Sequence, residues 1–450
     1  MANNLLNIAY ITNEGLPVLD NELVVAGKVN RQYSDQFAKT GAKIGYTVNA
    51  RRPPRYVGTF GPGLNVEDTN ETYIPVTLNT QFHVDVQFTT PDLLLAMDQF
   101  STRVLQPAMK PIFNRVDSDT AFFGYQNTPN SVGVPGTPPA SFLGFAIANS
   151  ILTNEAAGEE RNVILDPLST AYAADGVKGL FNPQSLIGDY VTKGMVSKNY
   201  AGMDFYQDAN IVTFTTGAQG GTPLLTANTS GAFLTSGWAD SGFIQTNGWT
   251  NSTGVVKVGD VIQIAGVYPV NPQSRAQYGN ALKQFVVLPP GGYTQQPNGA
   301  STGPGLAFAA STLTSGTFNA ATGVYTSSGG GALSIKIGEC VISGGQFQNC
   351  TTTSAFTSTS AITVNGGTAN ASKVSPQGLA LDRNAIALVF ADLPLPRGVH
   401  EAARSSDPDL GMSVRMVTQY TINNDALPTR IDVLYGLASL YRQLAVRIAG

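Results

Sequence analysis

The chain has 450 residues, a formal charge of −4 and 12% charged residues, about half the usual globular share. That balance excludes a global basic footprint for nucleic acid, and two cysteines exclude a disulfide framework. The length leaves room for about two or three domains with real cores.

In chain order, "MANNLLNIAY" has neither a basic start nor a long apolar core, so no secretion signal is expected. From Ile74 the apolar residues alternate (Val76, Leu78, Phe82, Val84, Val86, Phe88), which predicts one strand of about twice the usual length. Thr90-Pro91-Asp92 reads as a helix start: a capping hydroxyl, a proline at the first position and an acid in the first turn. Met97, Phe100, Val104, Ala108, Ile112 and Val116 follow at helical spacing. Pro107 and Pro111 either kink that helix or mark where it ends and restarts.

Residues 140–157 read as a helix, "RNVILDP" as a buried strand stopped by Pro167, and the stretch after it as a helix ending near Gly179. Then the charge drops: residues 211–372 hold only seven charged side chains, among Gly/Thr clusters and short alternating apolar runs. Short strands with regular turn signals predict an all-β, barrel-like module. Beyond it, "NAIALVFADLPL" contains the longest apolar run, too short to span a membrane. Alternation from Met412 to Ile422 predicts a second long strand over 411–426, and "DVLYGLASLYRQLAVRIAG" a short helix and a final strand. The fold class expected is α+β, with an all-β barrel-like domain inserted.

Four stretches in this order resemble the major capsid (coat) proteins of tailed phages, in the short-tailed branch with an inserted β domain. They are "VNRQYSDQFAKTGAKIGYTV" (29–48), the strand–helix stretch with "RVLQPAMKPIFNRVD", residues 162–211, and "LPTRIDVLYGLASLYRQLAVRIAG" (427–450). The resemblance implies an N-terminal arm (1–40), an extended loop with its strands (41–90) and a spine helix (91–127). An axial domain would span 128–210, 373–410 and the C-terminal 427–450, with a peripheral strand at 411–426 and the inserted domain at 211–372. It also implies a shell of many copies in the virion, assembled in the host cytoplasm around double-stranded DNA without sequence-specific binding. A scaffolding protein and a portal protein are implied partners; a decoration protein is left open, and no membrane is involved.

Arg51, Arg52 and Arg55 form the densest basic cluster, near the loop tip with Tyr56, Glu67 and Asp68. The readings are a solvated loop, a contact between subunits, or DNA. Cys340 and Cys350 flank Gly344-Gly345, where a hairpin would bring them together as two reduced thiols or a cross-strand disulfide. The two histidines, His83 and His400, lack partners at ligand spacing, and no nucleophile elbow or P-loop is present. Catalytic residues, cofactor and metal are therefore expected to be none. No lysine lies between Lys43 and Lys110, so the loop tip lacks the nucleophile with which some relatives crosslink their shells. The alternative reading is a carbohydrate-binding adhesin or fibre, with Trp238, Trp249, Tyr268 and Tyr293 as a stacking platform.

Overall fold

A 22-residue helix, α1 (Gln106–Asn127), runs between two β-sheets in the computed structural model, which describes residues 23–33, 47–89, 106–177, 201–226, 232–296, 305–353, 356–406 and 412–450. Met109, Ile112, Phe113 and Val116 recur at helical spacing and are all buried, and the three fully enclosed ones contribute roughly 2 kcal/mol each. The helix stops where side chains take over its last carbonyls: Asn127 donates to Phe123 O at 2.9 Å and Thr128 to Gly124 O at 2.8 Å. Gly124 gives the helix its close approach to Leu379 and Ile386, whose side chains would meet any Cβ there.

On one side of α1 lies a sheet ordered Asn130–Gly133, Ala445–Ala449, Val374–Asp382, Arg161–Leu165, Asp204–Gln207, with Thr213–Thr215 also pairing on Val374–Asp382. Ile164, Leu379 and Leu381 face α1, while Val163, Leu165 and Ala380 face α2 (Phe142–Asn154). With both faces covered, the strands read as continuous apolar runs. Ser141 caps α2 by accepting from Leu143 N–H at 3.2 Å. Asp166 caps α3 (Pro167–Val177) by accepting from Leu168 and Ser169 N–H, both at 3.1 Å, with Pro167 at the first helical position.

The other sheet centres on the 14-residue strand Ala426–Ser439, flanked by Ser413–Thr418, Glu401–Ser406, Ile386–Phe390 and the strand carrying His83. Here the structure departs from three expectations. The alternating run from Ile74 is two strands in different sheets, not one. After β1 (Thr47–Arg52), β2 (Thr72–Thr77) pairs with β1 alone, and β3 (Thr80–Thr89) pairs with Ala426–Ser439. The chain changes sheet at Leu78–Asn79 as it passes over Gly436, where any side chain would collide with the Thr77 carbonyl. The peripheral strand expected over 411–426 ends at Thr418, and Tyr420 and Ile422 sit exposed in a turn closed at Ala426. The helix expected near the C-terminus is instead the long strand followed by a three-residue 3₁₀ turn, Arg442–Leu444; the final strand, Ala445–Ala449, is present.

Of the expected spine helix the structure describes Gln106–Asn127, and its stretch 91–105, with the start at Thr90, lies outside the described residues. Pro111 stands inside the helix and Pro107 at its second described position. Of the expected arm, residues 23–33 are described: a 3₁₀ turn at Ala26–Lys28 and a bridge from Asn30 to Ala387.

At Thr213–Thr215 the chain enters a region of small sheets, and it leaves beside the same point, at Val374. Thr216 N–H donates to Lys373 O at 3.0 Å and Ser372 N–H to Gly217 O at 3.1 Å, so entry and exit form one neck. The buried Asp260 carboxylate braces it, accepting from Lys257 N–H at 2.7 Å, Asn365 Nδ2 at 2.7 Å and Gly217 N–H at 3.2 Å. Burial raises the pKa of Asp260, and these donors oppose that shift. The small sheets share a core of Ile244, Trp249, Ile262, Phe285, Tyr325 and Ile335. The turn expected around Gly344-Gly345 joins its flanks through Asn349, whose backbone N–H donates to Ile342 O at 3.0 Å, but the two flanking strands pair elsewhere. Val341–Ile342 pairs with Phe233–Leu234, and Cys350–Thr352 with Val267–Pro269. Both cysteines are buried, and neither is in a disulfide.

Candidate functional site

β1 and β2 form a two-stranded ladder from Thr47↔Thr77 to Arg52↔Thr72, and residues 53–71 project beyond it without further strand pairing. An isolated two-stranded ribbon is marginal in water, so this one needs contacts at its base and its tip.

The base is anchored by Arg52. Its guanidinium lies 4.4 Å from the ring centre of Tyr441 and 5.2 Å from that of Trp238, and it donates to Leu440 O. Burial draws its pKa down, while Glu339, Tyr441 and Asp240 pull it back. Arg52, Arg55, Glu155, Trp238, Glu339 and Tyr441 line a cavity of about 130 Å³ beneath the loop. Of the basic cluster, then, Arg52 points inward and Arg55 is half-buried. Arg51 alone of the three is exposed, 3.8 Å from Glu71.

Toward the tip, Glu67 accepts from Val57 N–H at 2.7 Å and Gly58 N–H at 2.6 Å, tying the two limbs together. The Val57 N–H contributes most to holding the Glu67 carboxyl below its ordinary pKa. Tyr56 shares a 2.9 Å hydroxyl contact with Thr69. Two groups from the small-sheet region reach the loop as well. Arg275 donates to Tyr56 O at 2.7 Å, and Gln346 donates to Asp68 O at 2.7 Å while accepting from Asn70 at 3.0 Å. The six residues singled out from sequence therefore divide. Arg52 and Glu67 hold the loop's own shape, Asp68 offers its backbone, and Arg51, Arg55 and Tyr56 keep surface available.

Sequence reasoning missed the apolar side chains beside them. Phe60 is 108% exposed, Leu64 94% and Val66 78%, with Val57 and Tyr73 also exposed. Single exposed apolar residues are ordinary, but five on one projecting ribbon form a patch of the kind that marks a contact. The signal was present in "RYVGTFGPGLNVED", whose large apolar residues sit among turn formers. Other exposed apolar side chains gather on α2 and α3: Phe142, Leu143, Ile147, Leu168 and Tyr172.

The proposed stacking aromatics are not gathered on one face. Trp249 is buried with its Nε1–H on Thr246 at 2.7 Å, Trp238 lies against Arg52, and Tyr293 packs 5.3 Å from Phe123. Tyr268 is half-buried on Val267–Pro269. His83 sits 3.0 Å from Asp85, and His400 is exposed in a turn. Among the described residues no three potential ligands converge on a metal-sized space.

No curated protein matches the chain. Several solved structures are similar to it at low identity. One from Mycobacterium phage Che8 shares 9% identity over 95% of this chain and 91% of its own, with a TM-score of 0.42. The capsid of Cyanophage P-SCSP1u shares 7% over 90% and 83%, with a TM-score of 0.39. The mature capsid of bacteriophage PhiM1 shares 9% over 90% and 82%, with a TM-score of 0.38. The sequence model of the P22 coat protein family (gene protein 5) matches residues 1–299. With well over half its length matched, the chain belongs to the P22 coat protein family and is a structural major capsid protein of a tailed phage.

Proposed function

We propose that residues 41–90 form an extended loop whose projecting part, 53–71, is the grip of one copy of the chain on the next in an icosahedral shell. The single observation that carries this reading is the apolar tip, Phe60, Leu64 and Val66, on a ribbon too thin to bury them itself. Arg51, Arg55 and Tyr56 lie at the margin of that contact, as a polar rim around an apolar centre. The exposed apolar side chains of α2 and α3 supply a second contact between copies.

On the same reading residues 1–40 form the arm, 91–127 the spine, 128–210 with 373–410 and 427–450 the axial domain, and 211–372 an inserted β domain. The single neck at Thr216 and Lys373 supports an insertion. The work is binding and shape change, not turnover. Assembly takes place in the host cytoplasm with a scaffolding and a portal protein, and the shell encloses double-stranded DNA without reading its sequence. The absence of lysine from Lys43 to Lys110 argues for a shell held without covalent crosslinks, so boiled particles should run as single chains of 47.2 kDa.

The test is electron microscopy of particles formed by wild-type chain and by the double variant Phe60→Ser, Leu64→Ser. Wild-type shells alongside a folded, unassembled variant are the expected result. Normal shells from the variant would remove the loop from the contact.

A further inference from the structure

The N-terminal segment 23–33 is fastened to α1 through a carboxylate. Asp117, fully buried on α1, accepts the Ala26 N–H at 2.8 Å. A second buried carboxylate, Asp208, lies within hydrogen-bond reach of Asp117. Asn210 bridges the two, donating its backbone N–H to Asp208 Oδ1 at 2.8 Å and its side-chain amide to Asp117 Oδ2 at 3.4 Å. Asp208 Oδ2 is enclosed and meets no donor on any other residue. Enclosing an ionised Asp117 beside a second carboxylate is unfavourable, so its burial favours the protonated acid.

We propose that Asp117, joined to Asp208 through Asn210, forms a proton-gated latch that holds residues 24–28 on α1 and releases them when Asp117 loses its proton. The groups acting on Asp117 are burial first, then Asp208, then the Ala26 N–H and Asn210, and together they raise its pKa well above the ordinary value. The other charged groups of the elements around it are engaged elsewhere. Lys28 lies 4.1 Å over the Tyr206 ring, and Arg115 pairs with Asp119 at 3.9 Å. Asp119 accepts from Gly305 N–H at 2.6 Å and from Tyr435, and Asp382 accepts from Gly158 N–H at 2.8 Å. Asp204 stands at the opposite end of its strand, and Arg31 lies beyond Asn30 on the segment itself.

For an acid whose folded pKa is raised, the native contact takes up a proton. Its stability is complete at low pH, declines above the ordinary carboxylate pKa and is lost as pH passes the raised value. The rest of segment 23–33 is held by backbone bonds, Asn30 N–H to Ile386 O and Leu388 N–H to Asn30 O, both 2.9 Å, which do not titrate. Opening is therefore expected to centre on residues 24–28.

The experiment is hydrogen exchange read by mass spectrometry on full-length unassembled chain, corrected for the chemical exchange rate, from about pH 5 to about pH 9. In wild type the opening constant of peptides covering 24–28 should rise about tenfold per pH unit in the window where one proton leaves. Asp208→Asn, whose amide can donate to Asp117 at every pH, should abolish that slope and keep the segment protected. Asp117→Asn should abolish the slope too, and it serves as the second variant should the first fold poorly. A wild-type opening constant flat across the range would overturn the latch, as would variants that keep the wild-type slope.

Discussion

The guanidinium of Arg52 stacks 4.4 Å from the centre of the Tyr441 ring, joining the base of the projecting loop to the 3₁₀ turn that precedes the last strand. Trp238, from the small-sheet region, closes the other side at 5.2 Å. Three separate parts of the chain thus meet on one planar cation, which also donates to Leu440 O.

Arg52→Ala should therefore loosen β1 and β2 by about 2 kcal/mol, the upper range for a desolvated cation–π contact, without unfolding the sheets around α1. Hydrogen exchange in residues 47–52 and 72–77 reads the effect. Arg52→Lys should recover only part of it, because an ammonium keeps the charge but not the stacking plane. Full recovery by lysine would mean that charge alone matters there.

Gly436 is the second fixed point of the loop. The chain crosses it at Thr77–Leu78, and a Cβ would run into the Thr77 carbonyl and the backbone of Leu78. Gly436→Ala should cost about 1–3 kcal/mol as an overpacked crossing and should raise exchange in β2 and in the β3 end at Thr80. An unchanged exchange pattern would mean that the crossing has more room than its geometry indicates.

How far the sequence carried can be judged on these same residues. The alternation in β3 was legible because one of its faces is polar: His83, Asp85 and Gln87 alternate with Phe82, Val84 and Val86. The break before it was not, since it is imposed by Gly436, a residue remote in sequence. Ala426–Ser439 was misread because most of both its faces is buried, which erases the period of two and leaves spacing that passes for a helix. At the loop, the arginine cluster was visible as a cluster. Which arginine turns inward depends on Trp238 and Tyr441, and nothing near Arg52 in sequence announces either. Phe60, Leu64 and Val66 are legible as apolar residues among turn formers, but their exposure follows from the thinness of the ribbon, which local sequence does not show.

Cys340 and Cys350 offer a direct check on the small-sheet region. Burial pushes both thiols up to about 11, so at neutral pH they are protonated as well as enclosed. Native chain should leave both unlabelled by a thiol reagent, and denatured chain should yield both without prior reduction. Two thiols missing after denaturation would reveal a disulfide, and fast labelling of native chain would mean that this core opens readily.

The last contact to test joins the small-sheet region to the C-terminal turn. Arg442, buried, meets Asp240 at 2.7 Å and 3.3 Å and also donates to Asn127 at the end of α1. Burial pushes the Asp240 pKa up, but Arg442, with Arg52 and Lys336 behind it, draws it below the ordinary carboxylate value. For a carboxylate with a lowered folded pKa, the stabilisation is present above the ordinary value and is lost as pH falls through the lowered one. The junction should hold at neutral pH and loosen in acid. Asp240→Asn should remove that acid dependence and cost about 1–2 kcal/mol at neutral pH by leaving Arg442 without its counter-charge. That figure is below the usual cost of breaking a buried pair because 35% of the Asp240 side chain remains in water. Denaturant unfolding of wild type and variant across an acid series separates the two effects. Parallel pH profiles for the two proteins would show that the acid response arises at another carboxylate.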